Sequence, residues 1–157
     1  MRAPAPDRTP AAAPAPCACG RLRRATRAVT QLYDDALAPA GLRLTQFSLL
    51  RTLARDGPLR ISDLAKRQLL DRTALSRNLE PLVAQGYVRV TPGKDARTRE
   101  VALTAAGKAV YQRALPYWRT AQRVVSRKLG EPRTEALVGL LDFVESLHPD
   151  SETATET

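Results

Sequence analysis

The stretch LDRTALSRNLEPLVAQGYVRVTPGKDARTREVALTAAG, residues 70–107, decides the fold of this chain. Its first part predicts a helix over 72–85, because Asp71 is a good helix N-cap and leucines recur at helical spacing. These leucines are Leu75, Leu79 and Leu82. At about 100° per residue they share one face, which we expect to be buried. The opposite face then carries Arg72, Thr73, Ser76 and Arg77.

A β-hairpin follows this helix. After Gly86 the apolar period changes from helical to alternating, so 87–91 predicts a half-buried strand. Residues 92–95 turn the chain, and 100–103 return as the second strand. Two strands this short are not stable alone, so we expect the rest of the chain to support them.

The segments around the hairpin read as helices. Five further helices are predicted. The first covers 20–38, and the second starts after Thr45 as N-cap and ends at Asp56. The others cover 63–69, with Ser62 as N-cap, 105–129 and 132–147. Residues 59–61 are too short for more than one β-bridge. The fold class is therefore mostly α with a small β-hairpin wing, in the order α-α-(β)-α-α-β-β-α-α, which is a winged helix-turn-helix.

The charge is concentrated in the same region. The chain of 157 residues has a net charge of +9, and residues 60–99 hold nine basic and four acidic side chains. Such a surface favours a polyanionic partner. A plain solvated surface and an anionic membrane are alternatives on composition alone, although no apolar run is long enough to span a membrane.

The helix face and the hairpin tip form one candidate site for duplex DNA. Arginines and hydroxyls near the start of a reading helix can donate to guanine edges or phosphates. A basic hairpin tip suits a narrow minor groove. The predicted DNA-binding residues are Arg72, Thr73, Ser76, Arg77, Lys94, Asp95, Arg97 and Arg99, with Asp95 orienting Arg97.

Three segments carry a family resemblance: residues 70–79, residues 82–88 and residues 95–107. They resemble the MarR family of bacterial regulators, and the similarity extends over about 20–147. The wing pattern Asp-x-Arg followed by Leu-Thr-x-x-Gly is fairly specific for that family. The resemblance implies a triangular homodimer on a near-palindromic operator. It also implies that Thr73, Ser76 and Arg77 face the major groove and that Arg97 enters the minor groove.

Dimerisation also follows from the leucine stripe of helix 132–147, which lies after the winged head is complete. A partner chain is the simplest cover for it and for helix 20–38. The alternative is that both helices pack on helix 105–129 of the same chain.

Release from DNA by an effector is implied by the resemblance. Cys19 at the start of the first helix, with Tyr33 fourteen residues later, resembles the organic-peroxide-sensing OhrR branch. A helix N-terminus stabilises a thiolate. That branch has a tyrosine four residues after its cysteine, where this chain has Arg23. The alternative is therefore that Cys17 and Cys19 are inert and take no part in sensing. A cleft near Tyr33, Phe47 and Tyr111 is a second sensing candidate, for a small phenolic ligand, unless these aromatic residues belong to the core.

The domain organisation and the excluded classes complete the expectations. We expect a disordered Pro/Ala-rich tail at 1–17, the winged-helix domain at 18–148 with its dimerisation region at 20–40 and 105–148, and a disordered acidic tail at 149–157. We expect no enzyme activity, cofactor, metal or membrane partner, and a cytoplasmic location. The motifs of nucleotide-binding and hydrolytic enzymes are missing from the sequence, and His148 is the only histidine. The alternative function is a winged-helix protein-interaction module.

Overall fold

The fold is seen in a computed structural model that describes residues 17–93, 95 and 98–149. In this part of the chain the α-helices are α1 (Ala18–Leu37), α2 (Leu44–Asp56), α3 (Ile61–Arg67), α4 (Arg72–Ala84), α5 (Ala105–Leu129) and α6 (Glu131–Glu145). A short 3-10 helix, Ala38–Ala40, connects α1 to α2. The strands are β1 (Leu59–Arg60), β2 (Val88–Pro92) and β3 (Arg99–Leu103). The element order predicted from the sequence is confirmed.

The small sheet is antiparallel in the order β1-β3-β2. β2 and β3 form the predicted hairpin, with Val88 opposite Leu103. The expectation of at most one bridge at 59–61 was wrong, because both residues of β1 pair with β3, at Val101 and Glu100. The second pair forms because Arg60 is still extended and only the next residue enters α3.

One apolar core holds the helices and the sheet together. The leucines predicted on the inner face of α4 are all buried, as are Phe47 and Leu50 of α2 and Val110 of α5. Each buried side chain of this size contributes about 1.5–3 kcal/mol relative to an exposed one. The core therefore fixes α4 on the body of the molecule by its leucine face.

The junction between the hairpin and α5 explains the Leu-Thr-x-x-Gly pattern. Thr104 is the N-cap of α5, and its Oγ1 accepts a hydrogen bond from the Gly107 amide at 3.0 Å. The same hydroxyl donates to the Gly86 carbonyl at 2.6 Å. A Cβ on Gly107 would overlap the carbonyl oxygen of Tyr87, so only glycine lets α5 approach the start of β2 this closely.

Two predicted N-caps were wrong. α2 begins at Leu44, before Thr45, because Asp34 of α1 accepts a hydrogen bond from the Leu44 amide at 2.6 Å. α3 begins before Ser62, with Arg60 at the N-cap position and no side-chain cap. At α2 the Gln46 side chain also accepts from the Arg43 amide at 2.9 Å, so a contact within the first turn and one from α1 together hold this helix start.

The C-terminal helix α6 is the least covered element described. It packs against α5, yet none of its residues is buried. Its large apolar side chains are exposed by 65% at Leu140, 68% at Phe143 and 72% at Leu147. Packing within one chain, the alternative to dimerisation, thus leaves the leucine stripe open.

Some expectations fall outside the described residues. These are the N-terminal tail before Cys17, the C-terminal tail after Pro149, and the wing residues Lys94 and Arg97. The domain limits of the sequence analysis stay predictions.

Candidate nucleic-acid interface

The outward face of α4 is open to solvent. Asp71 caps the helix, with its Oδ1 accepting from the Ala74 amide at 2.8 Å. The side chains predicted to face away from the core are all exposed: Arg72, Thr73, Ser76 and Arg77. The structure thus brings two guanidinium groups and two hydroxyls together over the first two turns of one helix.

Two details of this face could not be read from composition. The Ser76 hydroxyl donates to the Arg72 carbonyl at 2.8 Å, so in this conformation it offers lone pairs rather than a proton. Glu80 is also exposed and lies one turn after Ser76 and Arg77. A carboxylate there can accept from a cytosine amino group, whereas it repels phosphate. The face therefore combines the guanidinium donors of Arg72 and Arg77 with acceptor oxygens on Ser76 and Glu80.

The base of the wing is held by backbone hydrogen bonds. The Gly93 amide donates to the Thr98 carbonyl at 2.8 Å, and the Asp95 carbonyl accepts from the Thr98 amide at 2.9 Å. Asp95 and Arg99 are exposed. Because Arg97 lies outside the described residues, the pairing of Asp95 with Arg97 stays a prediction.

Arg72 and Arg99 both line one cavity, which could not be predicted from the sequence. The cavity measures about 230 Å³ and lies where β1, α3, α4 and β3 meet. A third arginine, Arg60, also lines it. No local signal marked Arg60, because its place depends on the pairing of β1 with β3.

The candidate redox residues lie at the first turn of α1. Cys17 is the N-cap, and its Sγ accepts from the Gly20 amide at 3.5 Å. Cys17 and Cys19 are free and exposed. Tyr33 lies on the same helix roughly 21 Å further along its axis. A contact between the Cys19 thiol and the Tyr33 phenol is therefore impossible within one straight helix.

Tyr33 belongs to the interior instead. It is buried, and its phenol hydrogen-bonds to the Gln122 carbonyl oxygen on α5. Burial raises the pKa of Tyr33, against a smaller lowering by the charge of Arg51. The phenol is thus a neutral hydrogen-bond donor that joins α1 to α5.

The aromatic residues considered for a ligand cleft mostly build the core. Phe47 is buried and stacks on Trp118, with ring centroids 5.8 Å apart. It also contacts the tilted ring of Tyr111, with the centroids 5.5 Å apart. The Arg51 guanidinium lies over the Trp118 ring, 4.5 Å from the ring centroid. These contacts make Phe47 a packing residue and leave only Tyr111 near an opening.

That opening is a cavity of about 380 Å³ between the end of α2, the sheet and the start of α5. Its lining combines apolar groups with Arg89, Lys108, Tyr111 and Gln112. An apolar floor with two cations suits a small organic anion. The cavity touches both the sheet of the winged head and the long helix α5.

The part of the chain that the structure describes contains no cluster of three or more His, Cys, Asp or Glu side chains that could hold a metal ion. None of its helices combines the length and the apolar character needed to cross a bilayer.

A short helix, a turn at 68–71, an exposed basic helix and a sheet beside it define a winged helix-turn-helix protein. The model of the MarR family matches residues 40–98. The Mycobacterium tuberculosis transcriptional regulator MosR, solved in complex with DNA, is 44% identical, with 80% of this chain and 92% of that chain covered and a TM-score of 0.72. The chain belongs to the MarR family of winged helix-turn-helix transcriptional regulators.

Two further relatives agree with this assignment. A variant of Escherichia coli MarR in complex with operator DNA is 26% identical, with 80% of this chain and 91% of that chain covered and a TM-score of 0.73. An HTH-type transcriptional regulator of Bacillus cereus is 32% identical over 96 residues, which are 61% of this chain. The matched segment spans 64% of the length of that relative, slightly less than two thirds.

Proposed function

We propose that this chain is a sequence-specific DNA-binding transcriptional regulator that acts in the cytoplasm, as a repressor released by an effector. The observation that carries the proposal is the exposed face of α4, where arginines and hydroxyls stand over a leucine face fixed in the core. A helix held in this way presents its base-reading groups to the major groove without rearrangement of the fold. The relatives solved with DNA support the same activity.

The functional unit that we propose is a homodimer. The support is the apolar side of α6, which α5 of the same chain leaves open at Leu140, Phe143 and Leu147. Two-fold symmetry would bury this surface against its own copy. Two heads related in this way would read a near-palindromic operator whose half-sites lie about 10–10.5 base pairs apart, or a multiple of that.

Each site residue has a proposed role. Thr73, Ser76 and Arg77 read bases in the major groove, and Arg97 enters the minor groove with Asp95 orienting it. Arg72, Lys94 and Arg99 contact phosphates, which position the protein without reading sequence.

The test compares Arg77→Ala with wild type on an operator selected from genomic DNA and on a scrambled duplex. Loss of a bidentate base contact would weaken operator binding by roughly 1–3 kcal/mol and leave scrambled DNA nearly unchanged. Arg127→Ala is the matched control, because Arg127 is an exposed arginine at the far end of α5. Equal losses on both duplexes would make Arg77 a phosphate contact. A wild-type protein that ignores duplexes at low ionic strength would favour the protein-interaction module instead.

For the effector we propose a small phenolic acid in the 380 Å³ cavity. Arg89 and Lys108 would face its carboxylate and Tyr111 its ring. Titration with a panel of phenolic acids should release the wild-type protein from its operator, and Lys108→Gln should raise the concentration required. Lys128→Gln is the control, since Lys128 is exposed on α5 away from this lining. If both variants needed the same phenolic acid concentration for release from the operator, the effector would bind outside this cavity.

Oxidation is the second candidate signal, favoured by the exposure of both thiols at the start of α1. Cys19→Ser should abolish release from DNA by organic peroxide. Cys17→Ser, at the neighbouring exposed thiol, shows whether the effect is specific to Cys19. Wild-type protein that stays bound in peroxide would remove the redox mechanism.

A further inference from the structure

The cavity of about 230 Å³ beside α4 is lined by arginines from three separate elements. Arg60 comes from β1, Arg72 from the first position of α4, and Arg99 from the first position of β3. The rest of the lining is Ile61, Ser62, Ala65 and Thr98. No acidic residue lines the cavity, so its three charged lining residues are all arginines.

The ion pairs among the described residues do not neutralise these arginines. The pairs present there involve Arg43, Arg55 and Arg67. Glu100 is the cross-strand partner of Arg60, and Asp63 follows on α3, but neither lines the cavity. Like charges gathered in this way repel one another, and an anion between them reverses the sign of the interaction.

The hydroxyls of the lining are already used as donors. The Ser62 hydroxyl donates to Asp63 at 3.3 Å, and the Thr98 hydroxyl donates to the Asp95 carbonyl at 2.8 Å. Among the lining side chains, the remaining donors are therefore the guanidinium groups. Guanidinium forks match the oxygens of phosphate in a bidentate manner.

We propose that this cavity holds one phosphate of the DNA backbone, and that Arg60 is a DNA-contacting residue. This inference rests on the proposed function. Arg72 belongs both to the cavity and to the reading face of α4, and Arg99 belongs to the wing. A phosphate held there fixes the reading helix and the wing to the same point of the backbone, and so sets the register in which Arg77 meets the bases.

The first experiment measures salt dependence by fluorescence anisotropy on operator and scrambled duplexes. Arg60→Gln should weaken binding by the same factor on both. It should reduce the log–log salt slope by about 0.9 per protomer, hence about 1.8 for a dimer. Arg127→Gln should change neither quantity. An unchanged slope in Arg60→Gln, or a loss confined to the operator, would overturn the proposal.

The second experiment replaces single operator phosphates by neutral methylphosphonates. Wild type should lose affinity when one particular phosphate in each half-site is neutralised. Arg60→Gln should lose less at that phosphate, while both proteins respond equally at the other positions. Identical profiles for the two proteins would refute the assignment. Arg60→Lys, which keeps the charge but not the fork, should restore the salt slope but only part of the affinity.

Free phosphate is the other source of the same chemistry, and calorimetry with inorganic phosphate separates the two. Phosphate binding that Arg60→Gln abolishes, with DNA affinity unchanged, would assign the cavity to a free anion and overturn the DNA proposal. If wild type and Arg77→Ala behave on DNA as expected but Arg60→Gln resembles wild type, this inference fails while the proposed function stands. If wild type binds no duplex, the proposed function itself fails.

Discussion

The open apolar side of α6 predicts that the paired substitution Leu140→Ser and Phe143→Ser separates the proposed dimer without unfolding the chain. Neither side chain belongs to the core of one protomer, because their exposed fractions are 65% and 68%. Serine in these places removes apolar surface that, in our proposal, only the partner covers. The substitutions should therefore weaken the free energy of dimer association and leave the free energy of unfolding of the protomer nearly unchanged.

The size of the effect follows from the exposed fractions. Burying a leucine or phenylalanine side chain contributes about 1.5–3 kcal/mol. By two-fold symmetry the pair of substitutions removes four such side chains, each about two-thirds available to a partner. The expected loss is about 4–8 kcal/mol, which raises the dimer dissociation constant roughly 10³- to 10⁶-fold.

Sedimentation equilibrium at micromolar concentration measures this constant, and circular dichroism checks that the helix content is kept. Val83→Ser is the matched control, because Val83 is 44% exposed on α4 and lies outside α6. The control should remain dimeric. A double variant that dimerises like wild type would show that α6 is not the interface, and the homodimer would then need another surface.

Three smaller effects can be checked in thermal or denaturant unfolding. Gly107→Ala should destabilise by about 1–3 kcal/mol, because its methyl group meets the Tyr87 carbonyl; an unchanged midpoint would mean that α5 can shift away. Asp71→Ala should lower the free energy of unfolding by about 1 kcal/mol, because the N-cap of α4 is lost, and it should also weaken DNA binding. The pKa of Asp56 is lowered from its ordinary value, chiefly by the hydrogen bond from Arg55. Asp56→Asn should therefore be less stable than wild type at neutral pH, and this difference should disappear as the pH falls through the carboxylate range; a difference that persists in acid would exclude the charge as its cause.

Local signals were enough to predict the winged head. The leucine spacing of α4, the change of period after Gly86 and the caps Asp71 and Thr104 each act within a few residues, so the sequence shows them directly. The exposed face of α4 follows from the same spacing. The helix starts at Thr45 and Ser62 failed for the opposite reason, because Asp34 of α1 and the pairing of β1 with β3 intervene from elsewhere in the chain.

Sites that need several elements could not be predicted from spacing. Phe47 and Tyr111 were considered together for a ligand cleft, but the stacking of Phe47 on Trp118 places it in the core. The cavity that Tyr111 does line needs Arg89 of β2 and Lys108 of α5, which only the register of the sheet and the close approach at Gly107 bring together. The position of Arg60 beside Arg99 could not be predicted either, because it depends on the pairing of β1 with β3.

Helix α5 is the element through which an effector would act on DNA binding. Its start is tied to the sheet by Thr104 and Gly107, and it lines the 380 Å³ cavity. Further along it packs against α1, where Gln122 bonds to Tyr33, and its last turns contact α6. Because α5 contacts the sheet of the winged head, lines the cavity and packs against α6, we infer that a ligand which shifts its first turns relative to the sheet would change the placement of the head on the proposed dimer. Such coupling requires that the ligand bind the two placements with different affinity, which is what the phenolic acid titration measures.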